Sequence, residues 1–222
     1  MNRTVVLIPA FNASATLPAL LLELKSRLPS GDILVVDDGS TDETGRVAAE
    51  AGVDLIALER NGGKGKALQR GFGTLREKPG IDAVVTMDAD LQHDPADLDL
   101  FIEERRNKGS NIVLGSRKRW GSRMPFERKL SNAITSWMVS SRIGVTIPDS
   151  QCGYRLIGVE VLKALNIEAM GFEAETELLI KAAKHSFTFS SVGIQTRYDG
   201  EKSHMTYWKT TKKFVQTVLK EY

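Results

Sequence analysis

The chain has 222 residues, 41% of them hydrophobic and 26% charged. That balance excludes a collagen, a disordered tail and a disulfide scaffold, and the length is ample for a proper core. The net charge of +2 conceals an asymmetry: residues 1–116 hold 13 basic and 18 acidic groups, and residues 117–222 hold 17 basic and 10 acidic. An acidic half followed by a basic half suggests a cation site and an anion site. Cys152 stands alone, so no intramolecular disulfide is expected and a reducing compartment fits. Met1-Asn2-Arg3 runs straight into a strand-like segment, which predicts no signal peptide. No run approaches the roughly 18 apolar residues of a membrane span. The expectation is a soluble chain or one lying on a membrane surface, with any span removed from the sequence left open.

Short apolar runs rich in β-branched residues predict strands at Thr4–Pro9, Ile33–Val36, Leu55–Leu58, Ala83–Met87 and Ile112–Leu114. Between them the pattern predicts helices at Thr16–Leu28, Asp42–Ala51, Gly65–Glu77 and Pro95–Lys108. Ser40-Thr41-Asp42-Glu43 offers N-caps, Pro95 suits a first turn and Gly109 a helix end. Continuous apolar strands alternating with helices imply an α/β fold with a mostly parallel sheet covered on both faces. The second half is less regular. Residues 126–143 read as an amphipathic helix with Phe126, Leu130, Ile134, Trp137 and Met138 on one face. A polar loop at 149–155 precedes helices at 159–165 and 173–185, a strand near 187–195, a loop at 198–204 and a last helix from about 206. With no repeat and no linker, one domain over residues 1–222 is expected.

In such sheets ligands gather at the carboxyl ends of the strands. Polar clusters follow each predicted strand: Pro9-Ala10-Phe11-Asn12, Asp37-Asp38-Gly39-Ser40, Asn61-Gly62-Gly63-Lys64-Gly65-Lys66, Asp88-Ala89-Asp90-Leu91-Gln92 and Gly115-Ser116-Arg117. Asp88, Asp90 and Gln92 supply hard oxygen donors suited to Mg²⁺ or Mn²⁺, although a capped, solvated turn uses the same residues. His93 beside them reads as a solvated turn residue rather than a ligand. Asp37, Asp38 and Ser40 could bind a ribose or simply cap a turn. The glycine-rich run with Lys64 offers backbone amides and a cation before a helix, a cradle for an anion; its spacing is not that of a P-loop. Seven basic residues against Glu127 lie between Arg117 and Arg142. Beside an apolar helix face, that basic rim suits a lipid interface better than nucleic acid, and ordinary packing on the sheet is the equal alternative.

Taken together, these motifs resemble family 2 glycosyltransferases, and more narrowly the polyprenyl-phosphate and dolichyl-phosphate hexosyltransferases. The resemblance is carried by Ile8-Pro9-Ala10-Phe11-Asn12, Val36-Asp37-Asp38-Gly39-Ser40-Thr41-Asp42, Asn61-Gly62-Gly63-Lys64-Gly65, Asp88-Ala89-Asp90-Leu91-Gln92-His93-Asp94-Pro95, Gly115-Ser116-Arg117 and Asp149-Ser150-Gln151-Cys152-Gly153-Tyr154-Arg155. It covers about residues 4–204. It implies a GT-A fold, a nucleotide-binding α/β/α sandwich. By that resemblance Pro9, Ala10, Phe11, Asn12, Asp37, Asp38, Ser40, Lys64, Asp88 and Ala89 bind the nucleotide sugar. Asp88, Asp90 and Gln92 hold the metal. Arg117, Arg128, Lys129, Arg197 and Lys202 receive the acceptor phosphate. Two positions depart from the pattern: Ala13 stands where many relatives are acidic, and Lys202-Ser203 reverses a Ser-Lys pair.

The implied reaction is inverting transfer of a hexose from a nucleotide diphosphate sugar, UDP-glucose or GDP-mannose, to a polyprenyl phosphate at the cytoplasmic face of a membrane. A phosphate acceptor has a second pKa near ~6 and is largely anionic at neutral pH, so it needs little base assistance. A sugar hydroxyl acceptor would need a carboxylate, for which Asp149 is the candidate. Asp90, Asp149 and Arg117 are therefore the expected catalytic groups. Competing readings are a sugar-phosphate nucleotidyltransferase, disfavoured by Pro9-Ala10-Phe11-Asn12 where a long glycine-rich loop would stand, and an inactive lipid- or sugar-binding module, disfavoured by the intact Asp88 and Asp90.

Overall fold

A computed structural model describes residues 3–117, 126–197 and 214–222, and of residues 126–129 the backbone alone. Seven strands form one sheet in the order β3-β2-β1-β4-β6-β5-β7. In chain order they are β1 Arg3–Ala10, β2 Ile33–Asp37, β3 Asp54–Ala57, β4 Ile81–Thr86, β5 Ile112–Arg117, β6 Arg155–Gly158 and β7 Phe189–Ile194. The helices are α1 Leu17–Lys25, α2 Thr44–Glu50, α3 Lys64–Glu77, α4 Leu98–Lys108, α5 Phe126–Ile143, α6 Val159–Ala164 and α7 Ala174–Lys184. Residues 214–219 are also helical.

Alternation along β1 shows how the sheet becomes the middle layer. Val5 and Leu7 join a core with Leu68, Phe72 and Leu75 of α3 and with Leu178 and Leu179 of α7. Val6, Ile8 and Ala10 point the other way, to Leu17, Leu20, Leu21 and Leu24 of α1 and Phe101 of α4. Successive strand side chains face opposite sides, so a strand apolar throughout needs cover on both. The sequence chemistry at helix ends is realised. The Asp94 carboxylate accepts the Ala96 amide at 2.9 Å ahead of the turn that opens at Pro95. Gly109 closes α4 at φ 65°, a left-handed conformation that favours glycine.

β1 pairs in parallel with both β2 and β4. The chain order therefore reverses there, the arrangement that opens a crevice at the carboxyl ends of such sheets. β6 is the one strand of the sequence's second half that its pattern does not announce. It lies antiparallel between β4 and β5, with Thr86 and Leu114 both opposite Arg155. Because β6 runs backwards, its first residue lies at the edge where β1, β2, β4, β5 and β7 end. The loop from 149 to 154 is thereby delivered to that edge.

Candidate functional site

The loops after β1, β2 and β4 are joined by side chains. The Ser40 hydroxyl accepts the Asn12 amide at 2.9 Å, and Asn12 Oδ1 accepts the Thr41 amide at 2.9 Å. Asn12 itself is held at φ 51°, an uncommon conformation for a residue with a side chain. The Thr44 hydroxyl accepts the Ala13 amide at 2.8 Å, and Asp42 accepts that of Ser14 at 3.1 Å. The Thr16 hydroxyl donates to the Ala89 carbonyl at 2.6 Å. Pro9 and Ala10 end β1, and Phe11 beyond them is exposed.

Asp37 and Asp38 divide the work of the second loop. Asp37 Oδ1 accepts the Ser40 amide at 3.0 Å and shapes the turn. Asp38 is buried, and its carboxylate accepts the Gly62 amide at 2.9 Å and the Gly63 amide at 2.8 Å. A carboxylate is thus the anion that fixes the glycine loop, and the sequence offered no sign of this pairing. Gly63, at φ 92°, leads directly into α3. A Cβ on Gly65 would lie 2.6 Å from the Met170 carbonyl carbon, so the loop before α7 closes tightly on the helix start.

Lys64, at that start, turns its ammonium to Asp88 at 2.5 Å and to Glu175 at 3.3 Å. Burial alone would lower the Lys64 pKa; the charges of Asp88 and Glu175 outweigh it and drive the value up. Burial would likewise raise Asp88, but Lys64, with His93 adding to it, holds the carboxyl at about 2. Both groups therefore carry full charge at neutral pH. Gly153 backs onto the pair: a Cβ there would stand 2.5 Å from Asp88 Oδ2 and 2.9 Å from Lys64 Nζ. Asp90 Oδ1 accepts the Gln92 amide at 3.0 Å, with Leu91 between them at φ 62°. The Gln92 carbonyl accepts the Arg197 amide at 3.1 Å.

Glu175 is the residue the sequence reading missed. It is 8% exposed, and its Oε1 is buried without a hydrogen-bond partner. Its place in the first turn of a predicted helix gave no signal, because contact with Lys64 arises only from packing α7 against α3. Arg155 was also missed as a site residue. It is 1% exposed and donates to the carbonyls of Cys152, Glu175 and Ser150 at 2.8, 2.8 and 2.7 Å. It ties the 149–154 loop to α7.

Arg117, at the end of β5, meets Asp149 in a two-pronged ion pair, Nε to Oδ2 at 2.7 Å and Nη2 to Oδ1 at 3.0 Å. Asp149 is 1% exposed. One expectation changes. His93 is not solvated: it is buried beside Tyr154, its ring centroid 5.2 Å away, and burial lowers its pKa to about 4 despite the nearby Asp88 charge. Arg197 is ion-paired on α1, its side chain 39% exposed. It donates to both Glu23 oxygens, at 2.8 and 3.0 Å, and meets Asp94 at 3.0 Å, because β7 delivers it against α1. On α5, the side chains of Leu130, Ile134 and Trp137 face outward, and Met138 alone among the described side chains of that predicted stripe turns to the core. Lys202 and the side chains of Phe126, Arg128 and Lys129 lie outside the described residues.

Among the described residues no cluster of three or more His, Cys, Asp or Glu side chains forms a self-sufficient metal cage. Asp88 and Asp90 with the Gln92 amide nonetheless fit a hard divalent ion that draws its other ligands from a diphosphate, since the donors are oxygens and Asp88 is ionised.

The chain and its fold have counterparts among known proteins. The family model described as glycosyl transferase family 2 matches residues 5–165. The chain belongs to that family. An undecaprenyl-phosphate mannosyltransferase of Micrococcus luteus is 31% identical, over 82% of this chain and 78% of its own. A UDP-N-acetylglucosamine–dolichyl-phosphate N-acetylglucosaminyltransferase of Methanococcus voltae is 30% identical, over 87% and 85% respectively. Glucosyl-3-phosphoglycerate synthase from Mycobacterium tuberculosis, solved with Mn²⁺, UDP and its product, superposes with a TM-score of 0.79 over 98% of this chain and 79% of its own, at 21% identity. The fold is therefore GT-A-like, and this glycosyltransferase is related to the polyprenyl-phosphate sugar transferases.

Proposed function

We propose that this glycosyltransferase moves a hexose, with inversion, from a nucleotide diphosphate sugar to a polyprenyl phosphate. The observation that carries the reading is the state of Asp149. A hydroxyl acceptor needs a base, but Asp149 is buried and held in a two-pronged ion pair by Arg117. A phosphate acceptor needs no base, and it does need an oriented guanidinium. Asp149 is then the group that orients Arg117. The names of the relatives, which include mannosyl and N-acetylglucosaminyl transferases acting on lipid phosphates, point the same way.

On this reading Phe11, Asn12, Asp37, Asp38 and Ser40 frame the nucleoside, and Lys64, set in place by the Asp38-held glycine loop, receives the diphosphate. Asp88, Asp90 and Gln92 would hold Mg²⁺ or Mn²⁺, which would supply positive charge against the diphosphate. Lys64 supplies part of that charge, its ammonium passing from Asp88 to phosphate oxygens. UDP-glucose and GDP-mannose are the candidate donors. Arg128, Lys129 and Lys202 complete the acceptor side. Arg197 contributes by holding the 92–97 loop to α1 rather than by binding phosphate. The outward stripe of α5 rests on the cytoplasmic face of a membrane, where the acceptor resides. Nucleic acid is not a partner.

The test incubates the protein with Mn²⁺, a panel of nucleotide sugars and a short polyprenyl phosphate. Formation of a lipid-linked sugar with release of nucleoside diphosphate is expected from one donor class. Absence of lipid-linked sugar from every donor, with and without vesicles, overturns the reading. Asp90→Ala is expected to lower release to background, and full activity in that variant overturns the metal assignment.

A further inference from the structure

α5 is amphipathic in an unusual sense: its apolar stripe faces outward, and its inward face contains polar residues. Asn132 and Ser136 are buried on the inner side, while Leu130, Ile134 and Trp137 are exposed on the outer. A buried hydroxyl must be matched by hydrogen bonds, so the partners of the inner face reveal what α5 supports. Ser136 Oγ accepts the Ser150 amide at 3.0 Å and lies 3.4 Å from the Ser150 hydroxyl. One turn later, Ser140 Oγ accepts the Ile147 amide at 2.9 Å and donates to the Ser136 carbonyl at 2.7 Å. Two hydroxyls thus hold the ends of a four-residue segment, Ile147 to Ser150, and Asp149 lies inside it. The far side of the segment is closed by Arg155, which donates to the Ser150 carbonyl. Asp149 in turn carries Arg117.

We propose that Ser136 and Ser140 are positioning residues for the Asp149–Arg117 pair, so that α5 sets the geometry of the acceptor-phosphate site from behind. The proposal deepens the lipid-phosphate reading and rests on it for the role of Arg117. The serines touch no substrate; they act through the amides on either side of Asp149. A displacement of this segment by a fraction of an ångström moves the guanidinium and leaves the Asp38–Gly62 side of the site intact.

The experiment compares Ser136→Ala, Ser140→Ala and Ser140→Thr with the parent chain. Ser140 is only half-buried, so its Thr variant keeps the hydroxyl without overfilling the core, and the Ser140 pair decides the question should Ser136→Ala not fold. Three readouts are used. Amide hydrogen exchange of a peptide spanning 147–152 is expected to quicken in both Ala variants and return towards the parent rate in Ser140→Thr. Transfer to a short polyprenyl phosphate is expected to fall roughly tenfold to a hundredfold in the Ala variants. The Kd for UDP or GDP with Mn²⁺ should stay within about twofold, because the donor side is held by other elements. Unchanged exchange overturns the proposal. So does quickened exchange with undiminished transfer, or a loss of nucleotide affinity as large as the loss of transfer. A parent chain that makes no lipid-linked sugar overturns the acceptor reading instead; the exchange rates and hydrolysis of the nucleotide sugar by the same variants then decide whether the serines position the site.

Discussion

Asp42 is the residue on which two loops and a helix depend, and its titration is a direct reporter of them. Its carboxylate accepts the Thr44 amide at 3.0 Å, the Thr44 hydroxyl at 2.5 Å and the Ser14 amide at 3.1 Å. Burial is the largest single influence and raises its pKa, but the bonds from Thr44 and Ser14 together prevail and hold it at about 2, against 3.8 in an unfolded chain. The folded form therefore resists protonation. The linked stability is complete above pH 3.8 and is lost as pH falls towards about 2. Urea midpoints should drop across that window, and the drop should be smaller in Asp42→Asn; equal drops would show that other carboxylates govern it. Cys152 is the opposite case. It is 1% exposed, and burial pushes its thiol up to about 12 even though Arg117 draws it down. Thiolate is the reactive form, so native protein should give no fast reaction with a thiol reagent, while urea-unfolded protein reacts at once. Rapid native labelling would mean that the 149–154 loop opens.

At the level of elements, the crossing of the 149–154 loop with the ends of α3 and β4 concentrates the charges of the site. Gly153 is the hinge of that crossing. The atoms a Cβ would meet, Asp88 Oδ2 and Lys64 Nζ, are the ends of side chains and not backbone. Gly153→Ala should therefore fold with a nearly unchanged melting temperature, yet displace the Lys64–Asp88 pair. Mn²⁺-dependent nucleotide binding is expected to weaken by about tenfold, read by calorimetry. Retained affinity would show that the pair has room to move. Elements of this kind were legible in different degrees. The strands of the first half and α5 at 126–143 follow from apolar runs and periodicity, since both faces of the sheet are covered. β6 was not legible: it is only four residues long and begins with the arginine that ends the predicted polar loop, and its burial comes from the two strands it separates. The site was legible as a list of strand-end clusters. Its internal pairings were not, because Glu23 and Arg197 are 174 positions apart and meet only through the assembled sheet. The apolar stripe of α5 was legible as a stripe, but its direction was not: periodicity locates a face without saying whether protein or solvent lies against it.

Across the whole molecule the charge division acquires a spatial meaning. The half with the excess of acid ends at Ser116, just before Arg117 closes β5, and it contains Asp38, Asp88 and Asp90. The basic half contains α5, and no helix among the described residues is long and apolar enough to cross a membrane. Any contact of the described residues with lipid must then be made by a surface. Trp137 is 69% exposed, and Leu130 and Ile134 lie beside it on the same side of α5. An exposed stripe of large apolar residues on a helix whose inner face already packs Val139 into the core and matches Ser136 and Ser140 with hydrogen bonds is not a core that failed to form; the helix cannot roll to bury the stripe without breaking those bonds. Such a helix would gain by entering the headgroup region, where its apolar face leaves water and the basic residues close to it in sequence would meet anionic lipid. Vesicles with a third of anionic lipid should sediment the parent chain, and moderate salt should weaken but not abolish the binding, since screening acts on the charges and not on the apolar contact. Trp137→Ser with Ile134→Ser should remove most of the binding while leaving nucleotide affinity and melting temperature unchanged, because neither side chain contributes to the core. Undiminished sedimentation of that double variant would place the lipid-facing surface elsewhere on the molecule.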